Sequence, residues 1–489
     1  MLNISLQFNR RDFEYDVYTL VGAFYPGSRI KTWYEGEEAP EGEFAYYYSI
    51  NYGQEQITFS MNGPGRSQFA CCRLKDAGDR TETKNQLKRL VYRFLSEQTG
   101  KELPWGDLTG IRPTKIPMRL LEEGWSNVEI ARHMRETYFT SNEKTALAIA
   151  TANREKALLS QLDVEKGYSL YIGIPFCPSI CLYCSFGSHP LKQWGHMMEP
   201  YLESLFRELA FISGRMSGRR LNTIYVGGGT PTTLEPPQLE RLLSFVQEHF
   251  SFEHLKEFTV EAGRPDTITE EKLEVLRNHP VTRISINPQT MNQKTLDLIG
   301  RKHTVEETVE TFHLARRMGF DNINMDLIVG LPGEGQEEVG ATLKAVRELD
   351  PDSLTVHSLA LKRATRLHLF KDQYEDISFE NSEEIMRMTK ECAMEMGMGP
   401  YYLYRQKNIA GNFENVGYAK VDKAGIYNIL IMEEKQTIMA AGSGASTKFV
   451  FQQGTRIERV ENVKDLKNYV ERIDEMLERK RKGMELYGI

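Results

Sequence analysis

The chain has 489 residues and a formal net charge of −7, a balance that argues against a broad basic surface for nucleic acid. Its 40% hydrophobic and 26% charged residues are typical of a globular protein with more than one domain. No stretch approaches the ~20 apolar residues of a membrane span, and six cysteines without a disulfide pattern fit a reducing compartment, so we expect a cytoplasmic protein.

Residues 1–165 are expected to form an α+β domain. Up to about residue 75 the chain alternates polar and apolar residues and is rich in tyrosine, as in FAYYYSINYGQEQITFSM, which favours strands and hairpins. From Thr83 apolar residues recur at helical spacing, as Leu87, Leu90 and Val91 do. The domain is therefore predicted to start with strands and to continue as helices.

Residues 166–370 alternate short apolar runs with long amphipathic segments. The runs are SLYIGIPF, TIYVGGGT, EFTVEA, RISINPQT, NINMDLIVGLP and SLTVHSLAL. Because each helix must carry the chain back across the sheet, we expect parallel strands and an α/β fold class, a partial six-stranded (βα) barrel. Function then belongs at the C-terminal ends of the strands, where cysteines, glycines, Glu261 and Gln289 occur.

Residues 371–489 are predicted to form a mixed C-terminal domain that covers the barrel on its substrate side. The domain ends in VKDLKNYVERIDEMLERKRKGM, whose charge pattern indicates a solvated amphipathic helix. Cys71, Cys72 and Cys392 belong to no ligand pattern, and we expect them to be ordinary core residues.

Cys177, Cys181 and Cys184 follow the first barrel strand at spacings of four and three residues. Thiolates are soft ligands, suited to zinc or to an iron–sulfur cluster. Structural zinc takes four protein ligands, and His189, the only nearby fourth candidate, gives an unfamiliar zinc spacing. A 4Fe-4S cluster on three cysteines leaves one iron open to a cofactor or substrate. The count favours the cluster over zinc or over three packed structural cysteines.

In this position the C-x3-C-x2-C loop resembles that of the radical S-adenosylmethionine (SAM) superfamily. The wider resemblance, over about residues 168 to 450, is to the oxygen-independent coproporphyrinogen III oxidase (dehydrogenase) family, and the additional N-terminal domain is similar to that of its HemZ-type branch. Its carriers are YIGIPFC, YVGGGTPT, the EAG segment, ISINPQTMNQKTLDLIGR, NMDLIVGLPGE and GSGAS. The resemblance implies a 4Fe-4S cluster on Cys177, Cys181 and Cys184, with SAM bound to the open iron and cleaved to a 5′-deoxyadenosyl radical.

The resemblance also implies which residues contact SAM. Tyr171, Gly228 and Glu261 match contacts to the cluster-bound SAM, and Ser446 is a weaker match. The oxidases hold a second SAM, whose matching contacts would be Tyr183, Gly229, Thr230, Gln289, Arg301, Asp326 and Ala360. Glycine lets backbone approach a cofactor, and carboxylates accept hydrogen bonds from ribose or an ammonium. The plainer alternatives are a tight turn for the glycines, capping for the carboxylates and Gln289, and a surface cation for Arg301.

The implied activity is the oxygen-independent oxidative decarboxylation of coproporphyrinogen III to protoporphyrinogen IX, a step of heme biosynthesis. It requires a tetrapyrrole substrate, an electron donor such as flavodoxin or ferredoxin, and an electron acceptor. Propionates call for cationic partners, and the candidates are Arg264, Arg363, Arg366, Arg405 and Lys407.

Phe186 stands where the best-known oxidases have a fourth cysteine, two residues after the third. The same C-x-F ending occurs in heme-chaperone relatives. Two alternatives therefore stay open: a heme-binding chaperone or delivery protein on the same scaffold, and a radical SAM methyltransferase that uses two SAM molecules.

Overall fold

The computed structural model describes residues 2–63, 65–76, 78–110, 112–185, 187–360, 381–406, 413–451 and 454–488. They form two compact units, the first within Met1–Ala150 and Ala410–Phe413 and the second within Thr151–Ile409 and Glu414–Ile489. The predicted division into three domains stays a prediction.

Strands occur along most of the chain and are numbered in chain order. They are β1 Asn3–Phe8, β2 Arg29–Tyr34, β3 Tyr46–Tyr52, β4 Gln56–Gly63, β5 Arg66–Arg73, β6 Gly167–Ile174, β7 Phe176–Cys177, β8 His189–Pro190, β9 Arg220–Gly228, β10 Glu257–Glu261, β11 Arg283–Ser285, β12 Ile323–Val329, β13 Ser353–Ser358, β14 Gly399–Tyr404, β15 Asn415–Ala419, β16 Thr437–Ala441, β17 Ser446–Phe451 and β18 Arg456–Glu461.

Helices alternate with the strands through the second unit. The α-helices are Glu14–Phe24, Arg80–Thr99, Lys115–Glu122, Asn127–Tyr138, Asn142–Leu159, Leu191–Trp194, Met198–Met216, Pro236–His249, Glu270–Asn278, Gln293–Leu298, Val305–Arg317, Gln336–Leu349, Glu383–Glu395, Ile426–Glu433, Leu466–Glu471 and Ile473–Tyr487. Among the described residues, no helix has the length and apolar character needed to cross a membrane.

The first unit is built on a five-stranded sheet of order β2-β1-β3-β4-β5. β1 pairs in parallel with both β2 and β3, so hairpins account for only part of this sheet. The sequence pattern did not indicate the helix Glu14–Phe24, which links β1 to its parallel neighbour β2. The helix Arg80–Thr99 begins after Asp79, whose carboxylate accepts two backbone N–H bonds, and Phe94 packs edge to face against Phe59.

Cys71 is exposed on the edge strand β5, so the expectation that it is a core residue is wrong. Side chains alternate across a strand, and its neighbour Cys72 packs against the core instead. Cys392 is buried, as expected.

The second unit is built on an eleven-stranded sheet of order β14-β15-β13-β12-β11-β10-β9-β6-β16-β17-β18. The six predicted strands, β6 and β9 to β13, are contiguous and parallel, which confirms the α/β partial barrel. β6 is buried along nearly all of its length, which explains why these strands are continuous apolar runs in the sequence. Strands after Gly399 extend the same sheet: β15 pairs antiparallel with β13, and β16 pairs in parallel with β6.

The charged C-terminal helix has one buried face, as its amphipathic pattern predicts, but a charged residue lies on that face. Lys480, in the helix Ile473–Tyr487, is fully buried, and its Nζ lies 2.5 Å from Oε1 of the buried Glu208. Glu208 also accepts a hydrogen bond from the N–H of Gly442 at 2.8 Å. The pairing and the hydrogen bonds offset the cost of burying the Lys480 charge beside the apolar residues on this face, Ile473, Met476 and Met484.

Candidate active site

The three cysteines of the loop after β6 border one cavity of about 250 Å³. Cys177 and Cys181 are buried, and Cys184 is half-buried. Burial raises the pKa of the Cys177 thiol, whereas the Thr230 hydroxyl, 3.5 Å from its sulfur, opposes this shift. A buried thiolate is favoured when iron or another cation pairs with it, as in a metal centre.

The zinc alternative depends on His189 as a fourth ligand. Its ring instead packs edge to face against Trp194, with 5.1 Å between ring centroids, and it is not among the described residues that line the cavity. Within the part of the chain that the structure describes, no three His, Cys, Asp or Glu side chains are placed to hold a single metal ion. Three thiols on the rim of a larger cavity suit a multi-iron cluster.

The glycines after β9 hold the backbone against the cysteine loop. The N–H of Gly229 donates to the carbonyl of Ile174 at 2.7 Å. A Cβ on Gly229 would lie 2.5 Å from the carbonyl oxygen of Phe176 and 3.0 Å from Sγ of Cys177. Gly228 has a φ of 113°, in the region that favours glycine. Both glycines line the cavity, and a side chain at Gly229 would collide with the backbone that carries Cys177.

The Glu261 carboxylate lies at the end of β10 and lines the cavity. It accepts a hydrogen bond from the Tyr225 hydroxyl at 2.5 Å. Burial raises the pKa of Glu261 to about 7, an effect that the Tyr225 hydroxyl opposes and the Asp326 charge increases. The Tyr225 ring forms a cluster of three nearly parallel rings with Tyr171 and Tyr427, at centroid distances of 6.3 and 4.5 Å, and the Tyr171 and Tyr427 centroids lie 6.4 Å apart. The carboxylate is therefore rigidly supported and is poised between its neutral and ionised forms.

Two predicted SAM contacts, Tyr171 and Ser446, lie outside the described lining of the cavity. The Tyr171 hydroxyl stands 3.3 Å from the position that a Cβ on Gly228 would take, so it lies behind the glycine turn. Ser446 begins β17, and its buried Oγ has no hydrogen-bond partner. Their part in SAM binding stays a prediction.

The other predicted SAM contacts all line the cavity. Gln289 is held at a φ of 68°, in the left-handed region, and its buried Oε1 has no partner. Its backbone is fixed on both sides, since its N–H donates to the carbonyl of Asp326 at 3.0 Å and its own carbonyl accepts from Ile328 at 2.9 Å. Backbone strain together with an unpaired buried acceptor is typical of a ligand site.

The Arg301 guanidinium is a buried cation on this cavity. Its Nη1 donates to the carbonyl of Asn287 at 2.5 Å, and its buried Nε has no partner. Burial alone would lower the pKa of Arg301, but Tyr183 and Cys181 raise it above its ordinary value. The guanidinium is therefore charged, and its buried Nε can donate to a ligand.

Asp326 is an ionised carboxylate beside residues that the sequence did not single out. Burial disfavours its charge, but His357 and the Asn324 amide, 2.7 Å away, hold the pKa of Asp326 below its usual value. Nδ1 of His357 lies 3.2 Å from the Tyr404 hydroxyl, which Gln406 also contacts. His357, Tyr404 and Gln406 line the cavity. In the sequence, the only indication of these cavity residues was the single histidine near the end of the predicted strand SLTVHSLAL.

The cations proposed for propionates have different positions. Arg264 lines the cavity, but its guanidinium bonds Asp266 and the cysteine loop. Arg405 is buried, which lowers its pKa to about 10. The remaining candidates, Arg363, Arg366 and Lys407, lie outside the described residues, as does Phe186.

Three thiols on one cavity, a glycine turn that excludes side chains, and unpaired buried polar atoms fit an iron–sulfur cluster with SAM. Residues 171–346 match the Radical SAM superfamily, so the fold and site define a radical SAM protein. Over 462 residues the chain is 39% identical to the oxygen-independent coproporphyrinogen-III oxidase-like protein HemZ of Bacillus subtilis, with 92% of each chain covered. The protein belongs to this HemZ-type family.

Other similarities point in two functional directions. The chain is 40% identical over 202 residues to the heme chaperone HemW of Lactococcus lactis, covering 41% of this chain and 52% of that one. Among solved structures it is similar to the coproporphyrinogen III oxidase HemN of Escherichia coli, a radical SAM enzyme. That match has a TM-score of 0.51 and 26% identity, and it covers 66% of this chain and 73% of the other.

Proposed function

We propose that this protein catalyses the oxygen-independent oxidative decarboxylation of coproporphyrinogen III to protoporphyrinogen IX, with a 4Fe-4S cluster on Cys177, Cys181 and Cys184. The observation that carries the proposal is the single cavity that gathers the three thiols with Glu261 and the charged Arg301. The similarity to HemZ over 92% of the chain supports the choice of substrate class.

The difficult step is removal of hydrogen from an unactivated C–H bond on the β-carbon of a propionate. When bound, the cluster and SAM supply the 5′-deoxyadenosyl radical that can do this. The substrate radical then loses carbon dioxide and passes one electron to an acceptor, which leaves a vinyl group. Two of the four propionates react in this way.

The chain's own residues position the reactants and keep water away. Glu261, supported by Tyr225, is suited to bind ribose hydroxyls or an ammonium of the cluster-bound SAM. The unpaired Gln289 Oε1 and Arg301 Nε, with the ionised Asp326, offer an acceptor, a donor and an anion to a second SAM. We propose a flavodoxin or ferredoxin as the electron donor.

A second candidate function is heme binding and delivery without chemistry on the substrate. The 40% identity to a heme chaperone favours it, as does the phenylalanine that ends the cysteine loop. It predicts a stable heme complex in place of vinyl products. Methyl transfer, the third alternative, predicts a methylated tetrapyrrole.

One experiment separates these functions. The protein is reconstituted anaerobically and given dithionite, SAM, coproporphyrinogen III and an electron acceptor, and vinyl porphyrin, 5′-deoxyadenosine, methylated products and bound heme are followed. Cys181→Ala should lose iron and SAM cleavage, whereas Cys392→Ala, at a buried cysteine outside the cavity, should keep both. Deoxyadenosine without vinyl product would refute decarboxylation, and SAM cleavage by Cys181→Ala would refute the cluster assignment.

A further inference from the structure

Arg264 lies in the turn after β10, three residues beyond Glu261, and is only 3% exposed. Its guanidinium forms a two-pronged ion pair with Asp266. Nε lies 2.9 Å from Oδ1 and Nη2 lies 2.7 Å from Oδ2 of that carboxylate. This geometry fixes the plane of the guanidinium and directs the third nitrogen, Nη1, away from Asp266.

Nη1 is directed at the cysteine loop. It donates to the Ser179 carbonyl at 3.2 Å and to the Ser179 hydroxyl at 2.9 Å, and it lies 4.0 Å from Sγ of Cys181. Ser179 lies between Cys177 and Cys181 in the chain. All three guanidinium nitrogens are therefore engaged, so Arg264 is placed to act on the cluster ligands and not on a propionate.

We propose that Arg264 is a positioning residue that sets the reduction potential of the cluster, by fixing the cysteine loop and holding a positive charge beside the Cys181 sulfur. One-electron reduction adds a negative charge to the cluster, and a nearby buried cation stabilises the reduced form. Hydrogen bonds and charge near the cluster sulfurs are among the factors that set such potentials. Asp266 orients the cation and also partly offsets its charge.

The inference rests on the radical SAM part of the proposed function and is independent of the substrate. The reaction concerned is the transfer of one electron from a low-potential donor, a ferredoxin or flavodoxin in the cell or dithionite in the assay, to the cluster. No bond to the substrate forms or breaks in that step. A potential measured without porphyrinogen therefore tests Arg264 separately from the decarboxylation.

The test is a redox titration of the reconstituted full-length protein, followed by electron paramagnetic resonance. Arg264→Gln should disfavour reduction by about tenfold, which lowers the midpoint potential by about 59 mV for a one-electron couple. Arg264→Lys keeps the charge and should lie closer to the wild-type value. Asp266→Asn removes an anion and should raise the potential. The matched control is Arg241→Gln, at a surface arginine paired with Glu199, which should leave the potential unchanged.

The opposite signs distinguish an electrostatic role from a structural one. If Arg264 only braces the loop, Arg264→Gln and Asp266→Asn should lower the iron and sulfide content together and leave the potential of the loaded fraction unchanged. That result, or shifts of the same sign in both variants, would overturn the proposal. If Arg264→Gln does not bind a cluster, the other two variants still test the proposal. A midpoint potential that is raised in Asp266→Asn and near the wild-type value in Arg264→Lys supports the proposal. Equal potentials in these two variants would overturn it.

Discussion

Replacement of Lys480 by methionine tests whether a buried ion pair anchors the loop that precedes Ser446. Lys480 and Glu208 are each 0% exposed, and their Nζ and Oε1 atoms lie 2.5 Å apart. Glu208 also accepts hydrogen bonds from the Gly442 N–H at 2.8 Å and from Nδ2 of Asn462 at 2.7 Å. Methionine keeps an unbranched apolar stem, one atom shorter than that of lysine, and removes the cation.

Removal of one partner from a buried ion pair costs about 3–5 kcal/mol, because the remaining charge is left buried without compensation. We expect Lys480→Met to lower the local free energy of unfolding by about 3 kcal/mol, the low end of this range. The loss is limited because Gly442, Asn462 and Tyr469 still donate hydrogen bonds to the Glu208 carboxylate. Addition of Glu208→Gln should recover part of the loss, because the amide oxygen still accepts and no charge remains.

Hydrogen–deuterium exchange is the assay, because one unfolding curve for two compact units would not report on this network. Exchange in peptides that contain residues 442–445, Met198–Met216 and Ile473–Tyr487 should accelerate about 100-fold in Lys480→Met, as expected from about tenfold per 1.4 kcal/mol. The control is Lys482→Met in the same helix, where the side chain is exposed. Unchanged exchange in Lys480→Met, or a double variant less protected than the single one, would refute the reasoning.

The remaining predictions concern the site. Gly229→Ala should prevent cluster loading, because its methyl group would lie 2.5 Å from a backbone oxygen. The control Gly263→Ala, whose methyl group would lie 3.4 Å from the nearest atom, should load a cluster normally. The iron content of the two reconstituted variants is the measurement, and equal iron content would contradict the prediction. The affinity for SAM should rise with pH as Glu261 ionises near its pKa of about 7. Tyr225→Phe should move the midpoint of this pH dependence upward, because it removes a hydrogen-bond donor to the carboxylate. Calorimetry at several pH values measures the midpoint, and an unchanged midpoint in the variant would contradict the prediction. Burial lowers the pKa of His303 to about 4, so as pH falls from 6.5 to 4 the unfolded state binds the extra proton and local stability around His303 decreases by about 3 kcal/mol. His303→Phe should lack this loss. Hydrogen–deuterium exchange of the peptides around residue 303 at several pH values, corrected for intrinsic exchange rates, is the measurement, and identical pH dependence in the two proteins would contradict the prediction.

The parallel core of the second unit was predictable because its strands are buried on both faces. β6 and β12 contain few polar side chains, so their apolar runs are visible without knowledge of their neighbours. The C-terminal ends of parallel strands meet at one edge, which is why spaced motifs at Cys177, Glu261 and Gln289 indicated one site. These features depend on local pattern and topology alone.

The elements that sequence reasoning missed depend on contacts between distant residues. The helix Glu14–Phe24 follows Phe13, which is held at a φ of 56° and provides no side-chain cap, so no capping signal marks its start. Lys480 lies in a segment dense in charges, and its partner Glu208 is 272 residues away in the chain. In the sequence, Arg264 cannot be distinguished from an ordinary surface arginine. Only the folded turn directs its guanidinium at Ser179.

The C-terminal segment completes the frame of the site. Residues 171–346 match the Radical SAM superfamily, yet the sheet depends on strands outside that range. β16 pairs in parallel with β6, and Gly442 follows it directly. A Cβ on Gly442 would lie only 2.7 Å from the carbonyl oxygen of Gly173, so the two segments are in close contact. Glu257 accepts the N–H of Tyr427 at the start of the helix Ile426–Glu433, and this fixes Tyr427 against Tyr225. The Glu261 carboxylate and the glycine turn at the cavity are thus supported by the C-terminal part of the chain. Without that part, the radical SAM core would lose β16 beside β6 and β15 beside β13, and both edges of its sheet would be unpaired.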